Sequence, residues 1–470
     1  MIKEDQTSSI LKTSLPAALD LASQPVMWLI EAVLIGRLSA AALGGVGFAL
    51  QIILLTVTVL LTFVMGATVL INQYLGNNDR WNANHILGQT VMWGILISIP
   101  IALLYYFASP YIFLIISERE ITGQLSTTGK SGIDAGISYL KTVAYFIPVI
   151  VVNFISLGMV RGAGDTKTSM IVNVTTNLIH LSLAPLLIYG LLHFPRLEVR
   201  GAALAMGLAH TTGFCLTMIY LRRKTSVLFL SMRELTTPNS ESIRKLFQMG
   251  LPTTVEQLVY SGGQVIVTGF VAVIGISALA IHMILLRIQG VLSMIFMGFA
   301  LASMTHIGKN VGANNHHIAE RTGITSQRIV LVVVFVISLS MIVFSDSVIH
   351  LFLRKEDTVL MDFGFKAVFI LFAALQIPKA MNTVIIGNLR GAGDIKWLMW
   401  INVVTVLLFE IGINWIGAFI FHFGLMGIWA VHGIDEIVKS SINYDRFRGG
   451  KWKRIQLLAG CSPKKEGQTE

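Results

Sequence analysis

One short stretch that occurs twice sets the plan of this chain. Residues 158 to 167 read G-M-V-R-G-A-G-D-T-K and residues 387 to 396 read G-N-L-R-G-A-G-D-I-K. Arg161, Gly162, Ala163, Gly164, Asp165 and Lys167 thus return as Arg390, Gly391, Ala392, Gly393, Asp394 and Lys396, at an offset of 229 residues, and upstream Asn153 returns as Asn382. A separate set of matches has an offset of 236: Leu15-Pro16 with Leu251-Pro252, Asp20 with Glu256, Ala42-Leu43 with Ala278-Leu279, and Gly76 and Asn78 with Gly312 and Asn314. Two sets of matches at nearly one offset mean that the chain is two copies of one unit. The offset falls by seven between the sets, which places seven extra residues in the first copy, around Glu118 to Gly136.

Apolar runs flank both copies of the stretch. With 54% hydrophobic and only 13% charged residues, the composition excludes an ordinary soluble domain. A hydrocarbon core takes about 20 apolar residues to cross. Twelve runs qualify, at residues 13–35, 46–72, 87–107, 137–160, 168–192, 200–221, 248–273, 280–306, 326–346, 362–388, 397–421 and 424–440. Asp435 and Glu436 interrupt the last and are expected to mark a water-exposed turn. The fold class is therefore an all-α integral membrane protein. Six spans per copy is an even number, so its two six-helix bundles share one orientation about a pseudo-twofold along the membrane normal. The expected boundaries are a cytoplasmic segment 1–12, an N-terminal lobe 13–221, a cytoplasmic linker 222–247, a C-terminal lobe 248–445 and a basic tail 446–470.

The net charge of +10 does not point to nucleic acid once its placement is considered. Assigning Lys and Arg to alternate sides of the spans puts 24 with the termini and 8 opposite, leaving Lys141, Arg287 and Lys379 inside spans. That asymmetry predicts cytoplasmic termini. The tail residues Arg446, Arg448, Lys451, Lys453 and Arg454 suit anionic headgroups. The first run ends at Gly36-Arg37 with no small-residue cleavage signal, so a retained span is expected. Cys215 lies in a span and Cys461 in the tail, which argues against a structural disulfide. No nucleotide-binding, zinc-protease or paired-Cys motif is present. The expectation is a non-enzyme with no cofactor, monomeric in the bilayer and driven by an ion gradient if it moves solutes uphill.

The repeated stretch reads as a helix-turn-helix corner at the membrane surface. Gly164 and Gly393 end one helix, Asp165 and Asp394 cap the next, and Arg161 and Arg390 lie among headgroups. Polar residues inside spans are the functional candidates, because an ionised carboxylate at bilayer depth costs at least about 2.5 kcal/mol and so faces a cavity or a partner. Asp20, Gln24 and Glu31 fall within about 40° of one another on one face of span 1. Span 7 opens alike, with Glu256, Tyr260 and Gln264. Glu410 and Asn414 share a face of span 11, His180 in span 5 is a candidate proton relay, and Lys379 in span 10 is placed to neutralise Glu256 or Glu410.

From about Leu15 to Arg454 the chain resembles the multidrug and toxic compound extrusion (MATE) transporters. The likeness lies in two six-helix copies, the Leu-Pro opening of spans 1 and 7, Glu31 before Gly36-Arg37-Leu38, Glu256, and the doubled R-G-A-G-D corner. The resemblance implies a V-shaped pair of bundles that expels amphipathic, often cationic, organic compounds in exchange for Na⁺ or H⁺. It implies that Glu31 stands where the family usually has a coupling Asp and that Glu256 matches its span 7 Glu. Lys379 departs from the pattern, since the sodium-coupled branch has an Asp there, and span 5 offers His180 in place of Asn or Asp ligands.

The expected function is a secondary antiporter in the cell (inner) membrane, with Glu31, Glu256, Asp20, Glu410 and His180 in cation or proton coupling. Gln24, Tyr260, Gln264, Asn153, Asn382, Lys379 and Asn414 are expected to line the substrate cavity. The alternative is a flippase for lipid-linked precursors, which Lys141, Arg287 and Lys379 would suit. An embedded enzyme, disfavoured by the two-copy plan, and a passive channel, which uphill transport against a gradient would exclude, are further classes.

Overall fold

The computed structural model describes residues 2–113, 127–223, 226–352, 364–455 and 457, and every regular element among them is helical. The first copy contains α1 (Ile2–Gly36), α2 (Ala40–Gly76), α3 (Arg80–Leu103, running on to Phe113), α4 (Thr127–Ala144), α5 (Ile147–Gly162), α6 (Thr166–Tyr189) and α7 (Glu198–Leu221). The second contains α8 (Ser240–Ile274), α9 (Ile276–Gly312), α10 (His316–Val343), α11 (Ser345–Phe352), α12 (Phe365–Gly391), α13 (Ile395–Thr405), α14 (Asn414–Phe419) and α15 (Gly424–Arg448). Part of the expected insertion, and Cys461, lie outside the described residues.

Ten described helices are long and apolar enough to cross a membrane, and the bent pair α4/α5 supplies an eleventh. The sequence reads that pair as one straight span; it is broken by 65°, just ahead of Pro148 in the first turn of α5, where a missing N–H does no harm. The twelfth expected span is α15, which continues through Asp435 and Glu436. The water-exposed turn expected there is not formed: Asp435, Glu436 and Lys439 are all buried, and they are tolerated because each has an ionic partner inside the bundle.

The described chain divides into two compact units whose limits differ from the sequence boundaries. The N-terminal unit holds residues 19–71 and 80–247, so it includes the segment expected as an inter-lobe linker. Side chains of α3 fix that segment. Gln89 donates to the carbonyls of Glu234 (3.2 Å) and Thr237 (2.8 Å) and accepts from the Asn239 amide (2.9 Å), while His85 lies 2.5 Å from Glu234 and 3.0 Å from Ser242. The C-terminal unit holds residues 1–18, 72–79 and 248–470. Within it Thr13 meets His306 at 3.2 Å. Gly76 lies against the Lys309 carbonyl and Gly312 against the Gln73 carbonyl, so close that a Cβ on either would collide with backbone. These four positions obey the 236-residue offset, so one close crossing is made twice.

The doubled corners form as helix ends with Gly164 at φ 103° and Gly393 at φ 91°, a left-handed conformation that suits glycine. Asp165 caps α6 by accepting from the Thr168 amide (3.1 Å), whereas Asp394 makes no such bond and accepts from Arg446 (2.8 Å). The corner arginines do not lie among headgroups. Arg161 and Arg390 are 7% and 6% exposed and turn inward, while Lys167 and Lys396 remain exposed. Their inward turn has its reason in the acids they meet.

Candidate functional site

Asp20 on α1 is fully buried. Its Oδ2 accepts from Arg161 (2.9 Å) and Ser169 (2.6 Å), and its Oδ1 from Asn173 of α6 (2.5 Å). In the C-terminal unit Arg390 donates to both oxygens of Glu256, each at 2.9 Å, and Asn402 donates to the Glu256 backbone carbonyl (2.8 Å). Asn173 and Asn402 are themselves 229 residues apart. The two sequence repeats, at offsets 229 and 236, are therefore the two halves of one contact: an acid on the first helix of each copy, held by the corner arginine of that copy. A guanidinium fixed at 2.9 Å already supplies the counter-charge that a transported cation would supply. This places Asp20 and Glu256 in structural ion pairs.

Glu31 is different. It lies three helical turns beyond Asp20 on α1 and is 1% exposed. Its Oε1 accepts from the Tyr139 hydroxyl of α4 (2.8 Å), and Oε2 has no hydrogen-bond partner among the described residues. No ion pair reaches it among those residues. Gln24 is half-buried between the two acids. His180 on α6 is buried with Nε2 unpaired, and Asn153 accepts from Thr217 (3.0 Å) in an α5–α7 contact. Among the described residues neither makes a hydrogen bond or ion pair to Glu31. Span 5 also carries the asparagines that the sequence reading did not use: Asn173 on Asp20, and Asn177, which donates to Ser23 (3.0 Å).

The C-terminal unit buries a larger polar group. Lys379 pairs with Glu436 (2.8 Å) and donates to the Tyr260 hydroxyl (3.3 Å), and Asn382 donates to the other Glu436 oxygen (2.8 Å). The expected partners of Lys379, Glu256 and Glu410, are corrected by this: its ammonium goes to Glu436 of α15, a residue that the sequence reading places in a turn. Lys439 pairs with Asp435 at 2.6 Å. Glu410 is buried in a π-helical segment, Val406–Ile413, and pairs with His432 of α15. A narrow cavity adjoins that pair, with Gln264, His282 and Trp429 among its lining. Asn414, expected to share the face of Glu410, is buried with both amide atoms unpaired.

Tyr139, His432 and His282 were not singled out in the sequence, and Glu436 was read as part of a turn, because the sequence does not reveal which element packs against each of them. Among the described residues no group of three or more His, Cys, Asp or Glu is arranged to hold a metal ion.

The MatE family model matches residues 16–186 and 252–416, that is, both copies. The chain is 25% identical over 452 residues to the uncharacterized transporter YisQ of Bacillus subtilis, covering 95% of each. It is 26% identical over 454 residues to the probable multidrug resistance protein NorM of Thermotoga maritima, covering 96% of this chain and 94% of that one. Among solved structures, a MOP superfamily transporter from Pyrococcus furiosus, described as having a binding pocket of reverse polarity, superposes with a TM-score of 0.84 at 19% identity. The superposition covers 96% of this chain and 97% of the other. A multidrug resistance MATE family transporter in an outward-facing conformation gives the same TM-score at 18% identity and the same coverage. With the family match spanning both six-helix copies and the same fold in solved relatives, this multi-pass membrane protein belongs to the MatE family, the MATE transporters.

Proposed function

We propose that this protein is a secondary antiporter that exports amphipathic, often cationic, organic compounds in exchange for protons, with Glu31 as the group that carries the proton. The observation that carries this reading is the environment of Glu31: a buried carboxyl with one hydroxyl donor and, among the described residues, no partner for its second oxygen and no fixed cation. Such a group is stable in the bilayer when neutralised, and a mobile proton or a cationic cargo can neutralise it. A hard metal cation needs a set of several oxygen ligands. The single Tyr139 hydroxyl favours a proton over Na⁺.

Protonation from outside removes the charge and favours one form of the carrier, and release inside restores the charge that attracts the cargo. The exchange shifts the populations by the differential stability of each state. The likeness to NorM of Thermotoga maritima, a probable multidrug resistance protein, supports organic cargo, and the excess of Lys and Arg with the termini supports cytoplasmic ends in the cell (inner) membrane. The flippase alternative draws on basic spans, and the neutralisation of Lys379 by Glu436 weakens it.

The test is drug movement in reconstituted vesicles with Na⁺ and pH gradients imposed separately. The expected result is transport driven by the pH gradient, lost in Glu31→Gln. Unchanged transport in Glu31→Gln combined with Glu256→Gln removes the assignment.

A further inference from the structure

The buried ionic groups of the C-terminal unit do not balance one another with fixed charges. Glu256 has Arg390, Glu436 has Lys379 and Asp435 has Lys439. Among the described residues the one ion-pair partner of Glu410 is His432, whose charge depends on a proton. With His432 neutral, an unbalanced negative charge sits on a residue 1% exposed, at a depth where charge is costly.

The same pair borders the narrow cavity between α8, α9, α13/α14 and α15. Its volume is about 10 Å³, room for roughly one water molecule. Five of its lining residues carry buried polar atoms that lack any hydrogen-bond partner among the described residues: Glu410 Oε2, His432 Nε2, His282 Nδ1, Trp429 Nε1 and Gln264 Nε2. Four of these five residues are more than nine-tenths buried. Native interiors rarely leave so many donors and acceptors together unsatisfied. One water making up to four hydrogen bonds would satisfy most of them. The donor set is mainly imidazole, indole and amide nitrogen, which suits water and a proton better than a hard metal cation.

We propose that Glu410, His432 and His282 form a second proton-binding centre, which holds one exchangeable proton and one buried water beside Trp429. The proton resides on the Glu410–His432 pair, and the water links that pair to His282, whose Nε2 is 3.4 Å from Thr268. The other titratable or charged groups packed around the pair are Tyr260 from α8, Lys379 from α12, and Asp435, Glu436 and Lys439 from α15. The lysines are engaged by Glu436 and Asp435, so neither is spare for Glu410. Loss of the proton leaves a net negative pocket until a proton or another cation returns. The centre extends the exchange reading to the second unit and rests on that reading only for the use made of the proton.

The pocket carries its own reporter. Trp429 lies 5.5 Å from the His282 ring and 5.6 Å from the His432 ring, and a protonated imidazole quenches an adjacent indole. The experiment is the pH dependence of the Trp429 emission of the full-length protein in detergent, obtained as wild type minus Trp429→Phe. The expected result is a one-proton transition that is lost in Glu410→Gln and in His432→Gln and kept in Glu31→Gln. The absence of a pH-dependent Trp429 component, or a transition that both substitutions leave unchanged, overturns the proposal. Variants are compared only where gel filtration and melting match wild type; should Glu410→Gln not fold, His432→Gln and His282→Gln decide. A transition that persists when transport fails, or when Na⁺ drives it, separates this centre from the assignment of Glu31.

Discussion

Replacing Arg161 by Met would test whether the inward corner arginines hold each copy together. Met keeps the length of the aliphatic stem and removes the guanidinium, which leaves Asp20 with Ser169 and Asn173 as its remaining donors and with no counter-charge. Asp20 is 0% exposed and Arg161 7%, so water does not replace the lost partner. Removing one member of a buried pair costs about 3–5 kcal/mol, because the other charge is left uncompensated. At about 2–4 °C per kcal/mol for a unit of this size, the melting midpoint should fall by roughly 6–20 °C.

The equivalent Arg390→Met should cost less, since the Glu256 side chain is 13% exposed and water can reach it. The assay is thermal unfolding of the detergent-solubilised protein, with Asp20→Asn and the Asp20→Asn/Arg161→Met double variant closing the cycle. The double variant should recover at least half of the loss, because no buried charge remains. A midpoint for Arg161→Met within 2 °C of wild type, or a double variant that simply adds the two single losses, would refute the argument that the pair is held by buried charge complementarity.

Other expectations follow from single contacts. Tyr139→Phe removes the one donor to Glu31, so the cost should be about 1–3 kcal/mol, read as a lower midpoint that Glu31→Gln in the same background largely restores. Gly76→Ala and Gly312→Ala should each cost about 1–3 kcal/mol by overpacking. They should be nearly equal, because each Cβ meets the carbonyl of the matching residue in the other copy; clearly unequal losses in melting would refute the symmetry of that crossing. His85→Ala deletes the contacts to Glu234 and Ser242. Residues 226–239 should then be cut by protease markedly faster at unchanged global stability, and an unaltered cleavage rate would show that Gln89 and Asn84 suffice to hold the segment.

Much of the candidate site was legible as positions and little of it as partnerships. Glu31, Glu256, Asp20 and Glu410 stand out in sequence because an acid inside an apolar run has no inexpensive place in lipid. The corner was legible as a helix break, since Gly164 and Gly393 are the residue type that a left-handed turn selects. Its arginines were misplaced at the headgroups because a basic residue at the end of a span usually lies there. Only their proximity to Asp20 and Glu256 draws them inward. Asp435 and Glu436 look like a break in α15 for a similar reason: a run with two acids reads as wet until Lys379 and Lys439 are found beside them.

The amino-acid sequence by itself determined the duplicated plan, the all-helical membrane-spanning class and the helix faces on which the acids lie. Apolar run length, helical period and an internal offset are properties of the chain that need no partner to be read. Tertiary packing decided which of those acids meet a fixed cation and which do not, among the described residues. Arg161 is 141 residues from Asp20 and Arg390 is 134 from Glu256, so only packed helices bring a fixed cation to each of them. The same packing leaves Glu31 with a hydroxyl and Glu410 with an imidazole. A buried carboxyl's role follows from its neighbour's charge, and helix packing supplies that neighbour.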